Sequence, residues 1–414
     1  MTRSDASIAI PARWYRAVSR TSEAVTLELV EAPLAEIAVT DGRLVGPRLT
    51  VDTHAVLVGI DEGGRLCGRP PEPLRLRNGT LCFDPSMGGV RTRENRRARG
   101  AYNAIVAEAN YFGMVNAYAH AHAGLAFFNR LLEELGTGPL PPLRVVVGAH
   151  FGSRLPGYRC GDGDCWSGTL RPLSGGHYRV SAHTTGVPEL DPVAPTGEVH
   201  LGPCRYRKPF AGQLSYLRNA AHNPAIIGHE LGHHLCRHTA DFRLNGERQP
   251  AEQRNGKPGV DDGICDYFTA ALLGTARPYG WYRADGGRRR DLGQLRHASE
   301  RDAGADAHGE GATWAAAWWR CREELVDRSF LPDAIDHDRV VVGALLAIGE
   351  LARPEDGRSR ARRQRIRTRA RTMIKAYRGA LREAGGSKAW RVAETIFEQA
   401  GLIDAARSKG SRAC

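Results

Sequence analysis

Over the first 95 residues, short apolar stretches (VTLELV at 25–30, EIAV at 36–39, THAVLVGI at 53–60) alternate with turns containing glycine and proline. That rhythm predicts strands, because alternate side chains face one core and Gly or Pro ends each run. From about residue 98 the pattern lengthens into a helix. It leads into the strand LRVVVGAH at 143–150, with further strands expected around 176–183 and 197–202. A helix is predicted from Asn223, a good N-cap residue, with Pro224 at the first helical position. Ile226, Ile227, Leu231 and Leu235 make that helix apolar enough to be buried. A shorter helix is expected over 258–274, with Asp261 as N-cap, Ile264, Phe268, Ala271 and Leu272 at helical spacing, and Gly274 as the stop. Beyond it the chain reads as mainly helical. A Gly- and Arg-rich loop at 282–293 interrupts it, and helices near 338–352, 360–384 and 387–400 end it. The fold class expected is α+β. A β-rich segment over 1–95 precedes an α+β lobe over 96–275 and a helical lobe over 276–414, with no internal repeat.

The buried helix carries the chemistry. His229, Glu230 and His233 spell H-E-x-x-H, and residues four apart project from one helical face, so both imidazoles can reach one metal ion with Glu230 beside them as general base. The pattern predicts zinc-assisted hydrolysis, and a catalytic zinc takes three protein ligands. Asp262 is the expected third, preferred over Asp261 because Asp266 follows it one turn on and can orient a ligand histidine. His120 and His122, two residues apart in a helix, face different ways and are expected to be structural.

These residues resemble the gluzincins, the thermolysin-like and fungalysin-like zinc peptidases, in which H-E-x-x-H is followed by a helix with carboxylate-x-x-x-Asp. The segment His308–Ala315, HGEGATWA, is similar to the fungalysin pattern H-x-x-G-x-x-W-A, and YFGMVNAYAHAHAGLAFFNRLL at 111–132 is similar to the long helix before the family's sheet. The resemblance covers roughly residues 100–330. It implies a zincin core, a zinc ion on His229, His233 and Asp262, and His308 as the stabiliser of the oxyanion. Behind His308, Trp314, Trp318, Cys321 and Leu325 form one apolar stripe. The family's third ligand is glutamate. With the shorter Asp262, the second helix must come closer to the metal. The family's tyrosine between the second histidine and the third ligand has no counterpart here. By position, residues 1–95 match a propeptide or a recognition segment.

With 42% hydrophobic and 25% charged residues, the chain reads as globular rather than disordered. The N-terminal stretch has no apolar run of signal-peptide length and no stretch reaches membrane-spanning length, so a cytoplasmic protein is expected, with export by a non-classical route left open. The cysteines number nine and suit reduced, buried thiols better than a disulfide framework. Cys160, Cys165, His177 and His183 approximate a structural zinc site by spacing, but GGHYRVSAH reads as a strand, and a disulfide across CGDGDC is an equal reading. The net charge is +12, and residues 358–378 carry nine arginines and one lysine. Tyr377 is the only aromatic there, so nucleic-acid recognition is not expected, and a solvated helix or an acidic partner fits better. The function expected is a zinc-dependent endopeptidase acting on a protein or peptide substrate, with no membrane partner. Two alternatives stand beside it: a zincin-fold scaffold with little turnover, and a polyanion-binding protein using the 358–378 run.

Overall fold

The computed structural model describes residues 9–18, 25–53, 56–60, 66–69, 73–85, 99–148, 150–152, 166–167, 170–172, 175–179, 196–202, 219–240, 259–280, 290–300, 307–351 and 370–403. They are mixed α+β. The strands are β1 (Ile10–Val18), β2 (Thr26–Leu34), β3 (Ala38–Thr40), β4 (Arg43–Val45), β5 (Leu49–Thr53), β6 (Val56–Ile60), β7 (Leu66–Arg69), β8 (Leu143–Val147), β9 (His150–Gly152), β10 (Trp166–Ser167), β11 (Leu170–Pro172), β12 (Gly176–Arg179) and β13 (Glu198–Leu201). The helices are α1 (Arg99–Glu134), α2 (Pro224–Thr239), α3 (Gly259–Leu273), α4 (Ala307–Asp327), α5 (Ala334–Leu351) and α6 (Ala370–Gln399). The chain divides into two compact units, residues 1–18, 27–124 and 141–230 in the first and 19–26, 125–140 and 231–414 in the second, so that α1 and α2 are each divided between them.

The first unit is organised by a six-stranded sheet of order β12-β13-β8-β5-β4-β3. β5 and β13 both run parallel to β8, and the outer pairings are antiparallel. Strands from either side of residue 95 therefore share one sheet, so β3, β4 and β5 are not set apart from the rest. Alternation explains the register. Leu49, Val51, Leu143, Val145 and Val147 are buried, while Asp52 and Arg144 occupy alternate positions. Arg144 spans three strands, donating from Nη1 to Glu198 Oε1 at 2.9 Å and from Nη2 to Asp52 Oδ2 at 2.8 Å. Gly113 of α1 lies so close that an added Cβ would stand 3.2 Å from Val147 Cγ1 and 3.1 Å from Ala221 Cβ. The α1 histidines are structural, as expected. His120 Nε2 hydrogen-bonds Tyr15 O at 2.7 Å, and His122 stacks on Tyr118 and faces Glu36 at 3.6 Å.

The second unit is helical. Trp318, Cys321 and Leu325 of the predicted stripe are fully buried, and Trp314 is nearly so. α5 begins at Ala334, four residues before the expected start, because Asp333 and Asp336 cap it reciprocally: Asp336 N donates to Asp333 Oδ1 at 2.9 Å and Asp333 N to Asp336 Oδ2 at 3.0 Å. The break expected between 384 and 387 is present in α6 at Gly386, whose φ of 77° no helix accommodates. Most of the arginine run lies outside the described residues. Among the described residues no helix is long and apolar enough to cross a membrane.

Candidate metal centre

Helix α2 is anchored through the turn before it. Asn219 caps a short 3-10 turn, Ala220–His222, by accepting from Ala221 N at 3.0 Å. Asn116 of α1 donates to Ala221 O at 2.7 Å, and His222 Nε2 hydrogen-bonds Ala109 O at 2.8 Å. Burial lowers the His222 pKa to about 4, so the ring is neutral and serves as a strut. Asn223 then caps α2 as predicted, accepting from Ala225 N at 2.9 Å. One continuous helix therefore carries His229, Glu230 and His233, all of them buried.

Gly176 of β12 passes Glu230 so closely that an added Cβ would stand 2.8 Å from Glu230 Cγ. Glu230 Oε2 is buried with no hydrogen-bond partner among the described residues. A buried carboxylate oxygen in that state is costly unless something polar or cationic reaches it.

Glycines let the next two helices close in. A Cβ on Gly232 of α2 would lie 2.7 Å from Cys265 Cα of α3. Where α3 crosses α4, Gly263 meets Gly311, and a Cβ on Gly311 would lie 2.7 Å from Gly263 N. Each glycine stands close in sequence to a candidate donor, Asp262 just before Gly263 and His308 three residues before Gly311. Asp262 Oδ1 consequently faces His233 Nε2 at 3.8 Å and His308 Nε2 at 3.6 Å. Ligand atoms of His229, Asp262 and His308 all lie within 4.8 Å of one another, and those of His229 and His233 are within the same limit. His233, Asp262 and His308 thus face one another within the second unit, and His229 lies one turn before His233 on α2. Asp262 is fully buried, whereas the His308 side chain is 49% exposed.

Buried imidazoles and a carboxylate at these separations are a donor set that can hold a metal ion. The donor chemistry and the unpartnered Glu230 oxygen both fit a cation at this place.

One prediction about α3 needs revision. Asp261 is not the N-cap. The helix starts two residues earlier, and the Asp261 carboxylate points at His233 Nδ1, 3.2 Å away. Its tie to the ligand histidine, reached across from α2, takes precedence over capping its own helix. Asp266, expected beside a histidine, also receives partners that the sequence did not announce. Arg290 Nε donates to its Oδ2 at 2.7 Å, a second Arg290 nitrogen reaches Oδ1, and Tyr279 OH donates to Oδ1 at 2.8 Å. The Arg290 guanidinium lies 3.9 Å from the Tyr279 ring centroid. Burial lowers the Arg290 pKa, but attraction to Asp266 and Tyr279 and hydrogen bonding to Asp266 together more than offset it, so the guanidinium stays charged. Nothing in the RRR run at 288–290 marks one arginine as buried.

Two thiols were also missed. Cys236 of α2 and Cys265 of α3 are fully buried, and burial pushes the Cys236 thiol up to about 11 and Cys265 well above its ordinary value. Of the spacing Cys160, Cys165, His177 and His183, only His177 is among the described residues, and its ring stands 5.5 Å from that of His200. No family model and no curated protein matches this chain.

Proposed function

We propose that this chain is a zinc-dependent endopeptidase with a thermolysin-like core, holding zinc on His229, His233 and Asp262. The convergence of these three buried side chains, with Glu230 on the same helix, carries the reading. Zinc, when bound, supplies Lewis-acid polarisation of water and of a carbonyl oxygen. Glu230 acts as general base and returns the proton to the leaving amine. Its buried Oε2 suits that role, because an oxygen without a hydrogen-bond partner among the described residues is open to the reacting water. His308, at the start of α4 and half exposed, can turn an N–H toward the developing oxyanion. Asp261 orients His233 through Nδ1, and the Arg290–Asp266 pair stiffens α3 behind Asp262. The substrate is a protein or peptide. The thermolysin-like assignment rests on the order of the three motifs.

The test is a quenched peptide library with metal analysis on wild type and Glu230→Gln. We expect cleavage by the wild type, and about 10²- to 10⁴-fold slower turnover in the variant with its zinc retained. Full activity in Glu230→Gln removes the mechanism, and a zinc-loaded wild type that cleaves nothing points to a scaffold.

A further inference from the structure

Cys236 and Cys265 take no part in the proposed hydrolysis and Asp261 enters it only by orienting His233, yet the two sulfurs and an Asp261 carboxylate oxygen all lie within 4.8 Å of one another. They come from two helices: Cys236 lies one turn beyond Gly232 on α2, and Asp261 and Cys265 lie four residues apart on α3. All three are buried. His233 faces both groups, turning Nε2 to Asp262 at 3.8 Å and Nδ1 to Asp261 at 3.2 Å, and Cys265 Sγ also lies within 4.8 Å of ligand atoms of His229 and His233. Asp261 Oδ1 is buried without a hydrogen-bond partner among the described residues. An anionic oxygen left so in a protein interior is stabilised by a nearby cation.

We propose that Cys236, Asp261 and Cys265 form a second metal site, for a thiophilic divalent cation such as zinc or cadmium, behind the histidine centre. Thiolate donors select such ions over magnesium or calcium. The spacing is close to what is needed: two sulfurs each about 2.3 Å from a tetrahedral ion stand about 3.8 Å apart, so contraction by no more than about 1 Å completes the site. Two metal–sulfur bonds and one metal–oxygen bond form, and the two thiols release their protons to solvent. The Asp261 carboxylate then bridges the second ion and the His233 ring, which couples occupancy of one site to the geometry of the other.

The site is tested by adding cadmium alone to the full-length chain, kept reduced with a phosphine, and reading metal content and the ultraviolet thiolate-to-cadmium absorption. The wild type is expected to retain two equivalents and show the absorption. Cys236→Ser and Cys265→Ser should each lose one equivalent and most of the absorption while keeping the equivalent that His229→Ala removes. The alanine versions introduce no buried hydroxyl and keep the comparison if serine disturbs folding, with circular dichroism as the check. A wild type without thiolate absorption, or absorption that survives in both cysteine variants, overturns the site. The readout is metal content and spectrum, so it stands or falls separately from hydrolysis.

Discussion

Gly263 and Gly311 meet backbone to backbone where α3 crosses α4, with no room for a methyl group on Gly311: its Cβ would lie 2.7 Å from Gly263 N. This contact carries Asp262 and His308 to within 3.6 Å of each other. Gly311→Ala should therefore be felt twice. Overpacking of this kind costs about 1–3 kcal/mol, and the helices must separate. We expect a lower urea midpoint together with weaker metal retention. A variant as stable as the wild type would show that the crossing has slack.

Asp262 and His308 face each other but are proposed to do different things. Asp262→Ala should release the first metal equivalent, measured by elemental analysis after dialysis. His308→Ala should keep the metal and lower turnover by about 10²- to 10³-fold, the usual effect of losing an oxyanion donor. An unchanged rate in His308→Ala takes that residue out of the site.

Arg290, its side chain 13% exposed, is the counter-ion of the fully buried Asp266. Arg290→Met leaves that carboxylate without its guanidinium, and removing one partner of a buried pair costs about 3–5 kcal/mol. Denaturant unfolding should show a loss of this size. Adding Asp266→Asn should recover part of it, because the stranded charge is gone. If the single variant unfolds like the wild type, the ion pair contributes nothing to the native state.

His222 makes stability depend on acidity. Its folded pKa of about 4 lies below the ordinary 6.5, so between those values the unfolded chain binds more protons than the folded one. The stabilisation is fully present above pH 6.5 and is lost as pH falls toward 4, with a slope of up to about 1.4 kcal/mol per pH unit. His222→Gln keeps a donor for Ala109 O and cannot titrate. Its urea midpoint should fall less steeply over that window, and parallel curves for the two proteins would exclude this strut as the cause.

Legibility tracks the range of the forces involved. Asn223 and Pro224 announced α2 because capping acts within one turn. The expected start of α5 was late because the Asp333–Asp336 box lies outside the apolar periodicity that marked the helix. Asp261 was misread for a related reason. At the head of a helix an aspartate looks like a cap, and only the neighbouring helix reveals that His233 needs it.

The chain by itself determined the elements and the register of its chemistry: an i, i+4 histidine pair with a glutamate between them, an aspartate pair at the same spacing, and a histidine ahead of a tryptophan stripe. Those follow from helical period and local capping, which act between residues a few positions apart. The tertiary structure alone decided that β3, β4 and β5 join the strands that follow α1, that Arg290 closes on Asp266, and that Cys236 meets Cys265 behind His233. Each of these joins groups distant in sequence. Their energies come from desolvating and pairing buried charges and from close backbone contact at glycine, and neither leaves a periodic trace in the order of residues.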